Sequence, residues 1–103
     1  MRYEWDERKN LRHQQLHGIS FEAASLVFED QGCLVYPDRI DRNTGKQRWH
    51  APGAISIQFG YAAVLAVVHV YREEQHGEEI IRIISARAAE KSELRRYRRQ
   101  ALE

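Results

Sequence analysis

The sequence predicts an α+β domain: an antiparallel sheet of about four strands, two helices before it and one after it. Three observations carry this. Apolar residues recur at three- and four-residue spacing before Gly32 and at two-residue spacing after Cys33. The alternating segments are separated by short turn signals, Asp41-Arg42-Asn43-Thr44-Gly45-Lys46 and the stretch around Gly77, which suit hairpins rather than crossovers. Residues 86–101 return to a charged, helix-forming composition.

The elements follow in order. Residues 1–5 alternate large and polar groups as a short first strand. Asp6 is an N-cap and Gly18 a left-handed C-terminal stop, bracketing a polar surface helix whose chief apolar positions are Leu11 and Leu16. Ser20 caps a second helix with Phe21, Ala24, Val27 and Phe28 on one face, ending near Asp30-Gln31-Gly32. Residues 33–36 form a strand closed by Pro37-Asp38. Residues 47–50 pair briefly before Pro52-Gly53, and Ile55, Ile57 and Phe59 alternate as a half-buried strand. Gly60 separates these from residues 64–71, apolar on both faces at first and so central. Residues 73–78 make a hairpin loop, 79–85 the last strand and 86–101 the terminal helix.

At 103 residues the chain is expected to be one domain, 1–103. Apolar residues at 43% and charged residues at 30% are ordinary globular proportions, so disorder and fibrous classes are excluded. The N-terminus lacks a signal peptide's apolar run, and residues 61–68 are too short to span a bilayer, so a cytoplasmic protein is expected. Cys33 stands alone and forms no internal disulfide. Net charge is +1 but uneven: from Arg82 onward it is +4, and before Arg82 it is −3. One cationic end on a near-neutral chain suits a local polyanion site or a docking face for an acidic partner.

Trp5-Asp6 with Lys9, His17-Gly18, Phe21-Glu22 with Ala24, Phe28 with Asp30, and Ile81-Arg82-Ile83-Ile84-Ser85-Ala86-Arg87 with Ala89 together resemble the BrnT toxin family. The resemblance runs from about Tyr3 to Tyr97, and its strongest part is Arg82 to Arg87. It departs at His13 and Leu16, where such sequences usually carry Asn and Lys, and at Gln47, where a Glu commonly precedes the mid-chain Arg. The resemblance implies a RelE-like fold and RNA cleavage that slows translation and growth. It also implies a BrnA-like ribbon-helix-helix antitoxin, and operator DNA bound only through the toxin–antitoxin complex.

RNA can be cut with neither metal nor cofactor if its own 2′-hydroxyl attacks the adjacent phosphate. The protein then aligns the reacting atoms, absorbs charge on the phosphorane and moves protons. Arginine suits the charge role through its guanidinium fork, and histidine or a perturbed tyrosine the proton role. The candidate catalytic residues are Arg87, Arg72, Arg82, His69 and Tyr71. Arg87 is expected at the handover from last strand to terminal helix, with Glu90 or Glu93 as its structural ion-pair alternative. Strand alternation sets Arg82 on the face of Ile80 and Ile84, away from Arg87 unless a bulge reorients one of them. His69 and Tyr71 share a strand face, and a histidine in an apolar strand is otherwise a core residue. Arg48 and His50 are candidate RNA contacts, as are Arg95 and Arg99 on the terminal helix. No metal-ligand spacing is present: His13 and His17 lack a third ligand. The alternative function is a catalytically inactive RNA- or protein-binding module of the same fold.

Overall fold

The computed structural model describes residues 2–56 and 62–101. Strand β1 (Arg2–Glu4) leads into helix α1 (Glu7–His17). Asp6 caps α1 by accepting the amides of Arg8 and Lys9, and Gly18 ends it at φ 69°, its N–H donating to the Gln14 carbonyl. Ser20 caps α2 (Phe21–Ser25) through the Ala23 amide. The expected continuous second helix breaks there: Leu26–Glu29 is a 3₁₀ turn, which swings Val27 and Phe28 onto the sheet.

Strands β2 (Tyr36–Ile40), β3 (Gln47–Ser56), β4 (Ala62–Glu73) and β5 (Glu79–Ala88) follow, then helix α3 (Lys91–Ala101). The sheet has five strands in the order β1-β5-β4-β3-β2. β1 lies parallel to β5 and all other pairs are antiparallel, so the expected all-antiparallel sheet of about four strands is corrected to a mixed one. Three alternating residues show a strand but not the direction of its partner.

Other boundaries move as well. β2 begins at Tyr36 instead of ending there. Pro37 is tolerated because β2 is an edge strand with an irregular register between Pro37 and Ile40. Pro52-Gly53 does not interrupt β3, which runs unbroken past them. A Cβ on Gly53 would stand 2.6 Å from the Val27 Cβ and 2.9 Å from its carbonyl oxygen, so glycine is there to let the 3₁₀ turn approach. β5 continues to Ala88, and α3 starts only at Lys91. The expected strand residues Ile57 and Phe59, and Gly60, lie outside the described residues.

The core fills one face of the sheet. Phe21, Ala24 and Val27 pack on Ala51, Ile55, Leu65, Val67, Ile81, Ile83 and Ala86. α1 contributes little apolar surface: Leu11 and Leu16 are exposed, while Asn10 is wholly buried. The Asn10 side chain accepts the Phe21 amide at 2.8 Å and donates to Glu7 and Glu22, which pins α2 to α1. α1 is therefore anchored by a satisfied polar group where an apolar stripe is usual. Trp5 packs edge-on to Phe21 at the rim of this core, and its indole N–H donates to Glu7.

Candidate active site

The face of the sheet opposite α1 and α2 carries the arginines, and a β-bulge puts them there. Val68 pairs with Ser85 but His69 with Ile83, so Ile84 has no partner. The extra residue reverses side-chain parity along β5. Below the bulge Arg82 pairs with Val70, and above it Arg87 pairs with Ala66. Val70 and Ala66 share a face of β4, and so therefore do the two arginines. Arg72 of β4 and His50, paired with Val68, are on it too.

Two clusters form on this face. At one end Glu4 of β1 takes a two-pronged contact from Arg72 (Nε 2.8 Å, Nη2 2.7 Å) and a third from Arg82 Nη1 at 3.2 Å. Hydrogen bonds from Arg72 lead in holding the Glu4 carboxyl at a pKa of about 2. About 13 Å along the strands, four residues at roughly 3.3 Å each, lies the second cluster. There Glu93 of α3 accepts both Nη atoms of Arg87, at 2.6 and 3.0 Å, and its Oε2 stands 3.0 Å from His50 Nε2. Glu93 also accepts the Glu90 amide at 2.8 Å, the N-terminal capping contact of α3. One carboxylate thus fixes a helix start, a guanidinium fork and an imidazole together.

His50 is 6% exposed, and its Nδ1 has no partner among the described residues. Burial lowers its pKa, and the neighbouring Glu93 carboxylate opposes that shift. The ring is therefore neutral near pH 7 and able to accept a proton. Tyr36 covers it at 4.7 Å between ring centres, and the Arg96 guanidinium lies 3.6 Å over Tyr36. The far side of α3 is held by Tyr97, whose hydroxyl donates to Asp30 at 2.6 Å. Asp30 in turn accepts the Ala54 and Gly32 amides. Burial and the Asp30 carboxylate push the Tyr97 phenol up to about 12.

A family model, described as the BrnT ribonuclease toxin of type II toxin–antitoxin systems, matches residues 5–93. The chain belongs to the BrnT family. It is a ribonuclease toxin of a type II system, with RNA as its substrate and an antitoxin as its partner. No curated protein matches the chain.

Within this BrnT chain the remaining candidates disperse. His69 and Tyr71 point toward α1 and α2, away from the arginines. His69 is fully enclosed between Phe28 and Tyr71, neither ring nitrogen has a partner among the described residues, and burial drives its pKa down to about 4. Tyr71 packs on Trp49 and His69, and burial raises its pKa. Both therefore lie on the opposite face of the sheet from Arg87. Arg87 itself lies inside β5, not at a helix start, and the pairing with Glu93 weighed as its structural alternative is the one it makes. Arg48 lies in the β2–β3 hairpin, 3.1 Å from Asp41. Arg95 and Arg99 are exposed on α3 and form no ion pair among the described residues.

Glu93 as a shared carboxylate, Tyr36, Arg96 and Glu4 were not signalled as site residues. A glutamate at the third position of a helix reads as a cap, and nothing in its spacing shows two partners from other strands. Gln47, one of the departures, donates to the Asp38 and Arg48 carbonyls and holds the hairpin. Among the described residues no three His, Cys, Asp or Glu side chains are grouped to hold a metal ion, and no helix is long and apolar enough to cross a membrane.

Proposed function

We propose that the chain is an endoribonuclease that cuts RNA by attack of a 2′-hydroxyl on the adjacent phosphate, without a metal, at the Arg87–Glu93–His50 cluster. The observation that supports this most is the double engagement of Glu93. A carboxylate gripped by a guanidinium fork and an imidazole occupies the kind of place a phosphate takes, and Arg87 can present the same fork to two phosphate oxygens. With the phosphate in the place of the Glu93 carboxylate, Nε2 of neutral His50 is the nitrogen that faces it and accepts the 2′-hydroxyl proton as the oxygen attacks phosphorus, and Arg87 stabilises the charge that builds on the phosphorane. The leaving 5′-oxygen takes a proton from water, the His50 imidazolium returns its own to solvent, and the products are a 2′,3′-cyclic phosphate and a 5′-hydroxyl. Arg72 and Arg82, on the same face, guide the strand beyond the cut. The antitoxin in this reading is a BrnA-like ribbon-helix-helix protein acting in the cytoplasm, and operator DNA is bound only through the complex.

The test is cleavage of a defined RNA by purified protein in EDTA, with analysis of the ends. Activity should survive chelation and leave cyclic phosphate. Loss of all cleavage in EDTA, or 5′-phosphate ends, rejects the mechanism. A second reading, an inactive binding module of the same fold, draws support from the carboxylates that already occupy Arg72, Arg82 and Arg87. It predicts RNA binding with no cleavage at any protein concentration.

A further inference from the structure

We infer that the β2–β3 hairpin carries a separate oxyanion pocket, which takes a backbone phosphate of the RNA strand next to the linkage being cut. The inference rests on the ribonuclease reading for the identity of the ligand, and on the hairpin alone for the site. A cavity of about 320 Å³ lies between Arg39, Asp41, Arg42, Asn43 and Arg48. Three guanidiniums line it and one carboxylate.

That carboxylate is already spent. Asp41 Oδ2 accepts the Thr44 amide at 3.0 Å and the Thr44 hydroxyl at 2.7 Å, closing the turn, while Oδ1 faces Arg48 at 3.1 Å. Arg39 and Arg42 form no ion pair among the described residues, so the pocket keeps a formal charge of +2. Arg48 Nε is buried with no hydrogen-bond acceptor among the described residues, an unmet donor of the kind an anion would satisfy. Asn43 adds an uncharged amide that can donate to a phosphate oxygen.

Position ties the pocket to the active site. Arg48 and His50 are two residues apart on β3 and therefore on one face, about 7 Å apart at roughly 3.4 Å per residue. A strand whose scissile phosphate sits on Arg87 and His50 would pass its neighbouring phosphates over this hairpin. The turn that shapes the pocket is closed by its own backbone, with Gly45 at φ 71° and its amide donating to the Asp41 carbonyl at 2.8 Å.

The experiment measures binding of a 2′-O-methyl RNA oligonucleotide, which cannot be cut by its own hydroxyl, across a salt series. Arg39→Ala with Arg42→Ala is compared with Arg8→Ala with Arg12→Ala, an equal loss of charge from exposed positions on α1. The hairpin double variant should bind about tenfold more weakly. Its log–log salt slope should shrink by about 1.4, at roughly 0.7 per lost phosphate contact. The α1 variant should keep both. Equal losses in the two variants, or none in the hairpin variant, overturn the pocket. Cleavage of ordinary RNA by the unaltered chain, run in parallel, separates the two ideas. Cleavage with an indifferent hairpin sinks the pocket alone, whereas a hairpin-dependent salt slope without cleavage keeps the pocket and removes the nuclease reading.

Discussion

Arg87 owes its direction to Glu93, whose two oxygens hold its two terminal nitrogens. Replacing Arg87 with alanine should lower the cleavage rate by about 10²–10³ if it stabilises the transition state. Arg87→Lys keeps the charge but not the fork, and should recover only a small part of that loss. Single-turnover cleavage at saturating RNA measures both, and an unchanged rate for the alanine variant removes Arg87 from the chemistry. Arg87 could be singled out from the sequence because it stands in the strongest segment of the family resemblance. His69 stands out in the sequence for a local reason: it sits two residues from Tyr71 in a strand, and spacing along one strand does not say which face the helices cover. Glu93 was visible only as a counter-ion, because its second partner, His50, is 43 residues away.

At the scale of elements, capped helices were the most readable parts. Asp6, Gly18 and Ser20 do in space what their types announce, since a cap is a contact within three or four residues. Strand limits were less readable because they depend on neighbours: β5 runs to Ala88 by pairing with β4, and the bulge at Ile84 leaves no mark in the run Ile80-Ile81-Arg82-Ile83-Ile84. Gly53 misled for the same reason. Beside proline it reads as a turn, yet it sits in mid-strand beneath Val27. Gly53→Ala would press its new methyl against backbone and Cβ atoms that have nowhere to go. Overpacking of that kind costs about 1–3 kcal/mol. Urea unfolding should show the loss as a lower midpoint with an unchanged slope. An unaltered midpoint would mean that the 3₁₀ turn does not lie against β3 as described.

For the whole molecule the decisive buried group is His69. Its ring is held neutral in the core with a pKa of about 4, whereas in the unfolded chain it titrates near 6.5. Between those values the unfolded state binds the additional proton, so stability is complete above about pH 6.5 and falls as pH drops toward 4. The shift corresponds to about 3 kcal/mol in all, of which about 2 kcal/mol is lost by pH 5. Glu4 acts lower down: its carboxyl is held at about 2, so the stability from its arginine pairs lasts until pH falls below about 4.5. His50, also depressed, adds a loss of the same sign in mildly acid solution. His69→Leu isolates the core term, because Glu4 and His50 are common to both proteins. At pH 7 the variant should be as stable as the parent or more so, since two ring nitrogens without a partner among the described residues leave the core. At pH 5 its advantage should widen by about 2 kcal/mol, read from urea unfolding at the two pH values. Parallel losses in parent and variant would mean that the ring is protonated inside the fold as readily as outside it, and that the face of β4 turned toward α1 and α2 is not the dry interior described.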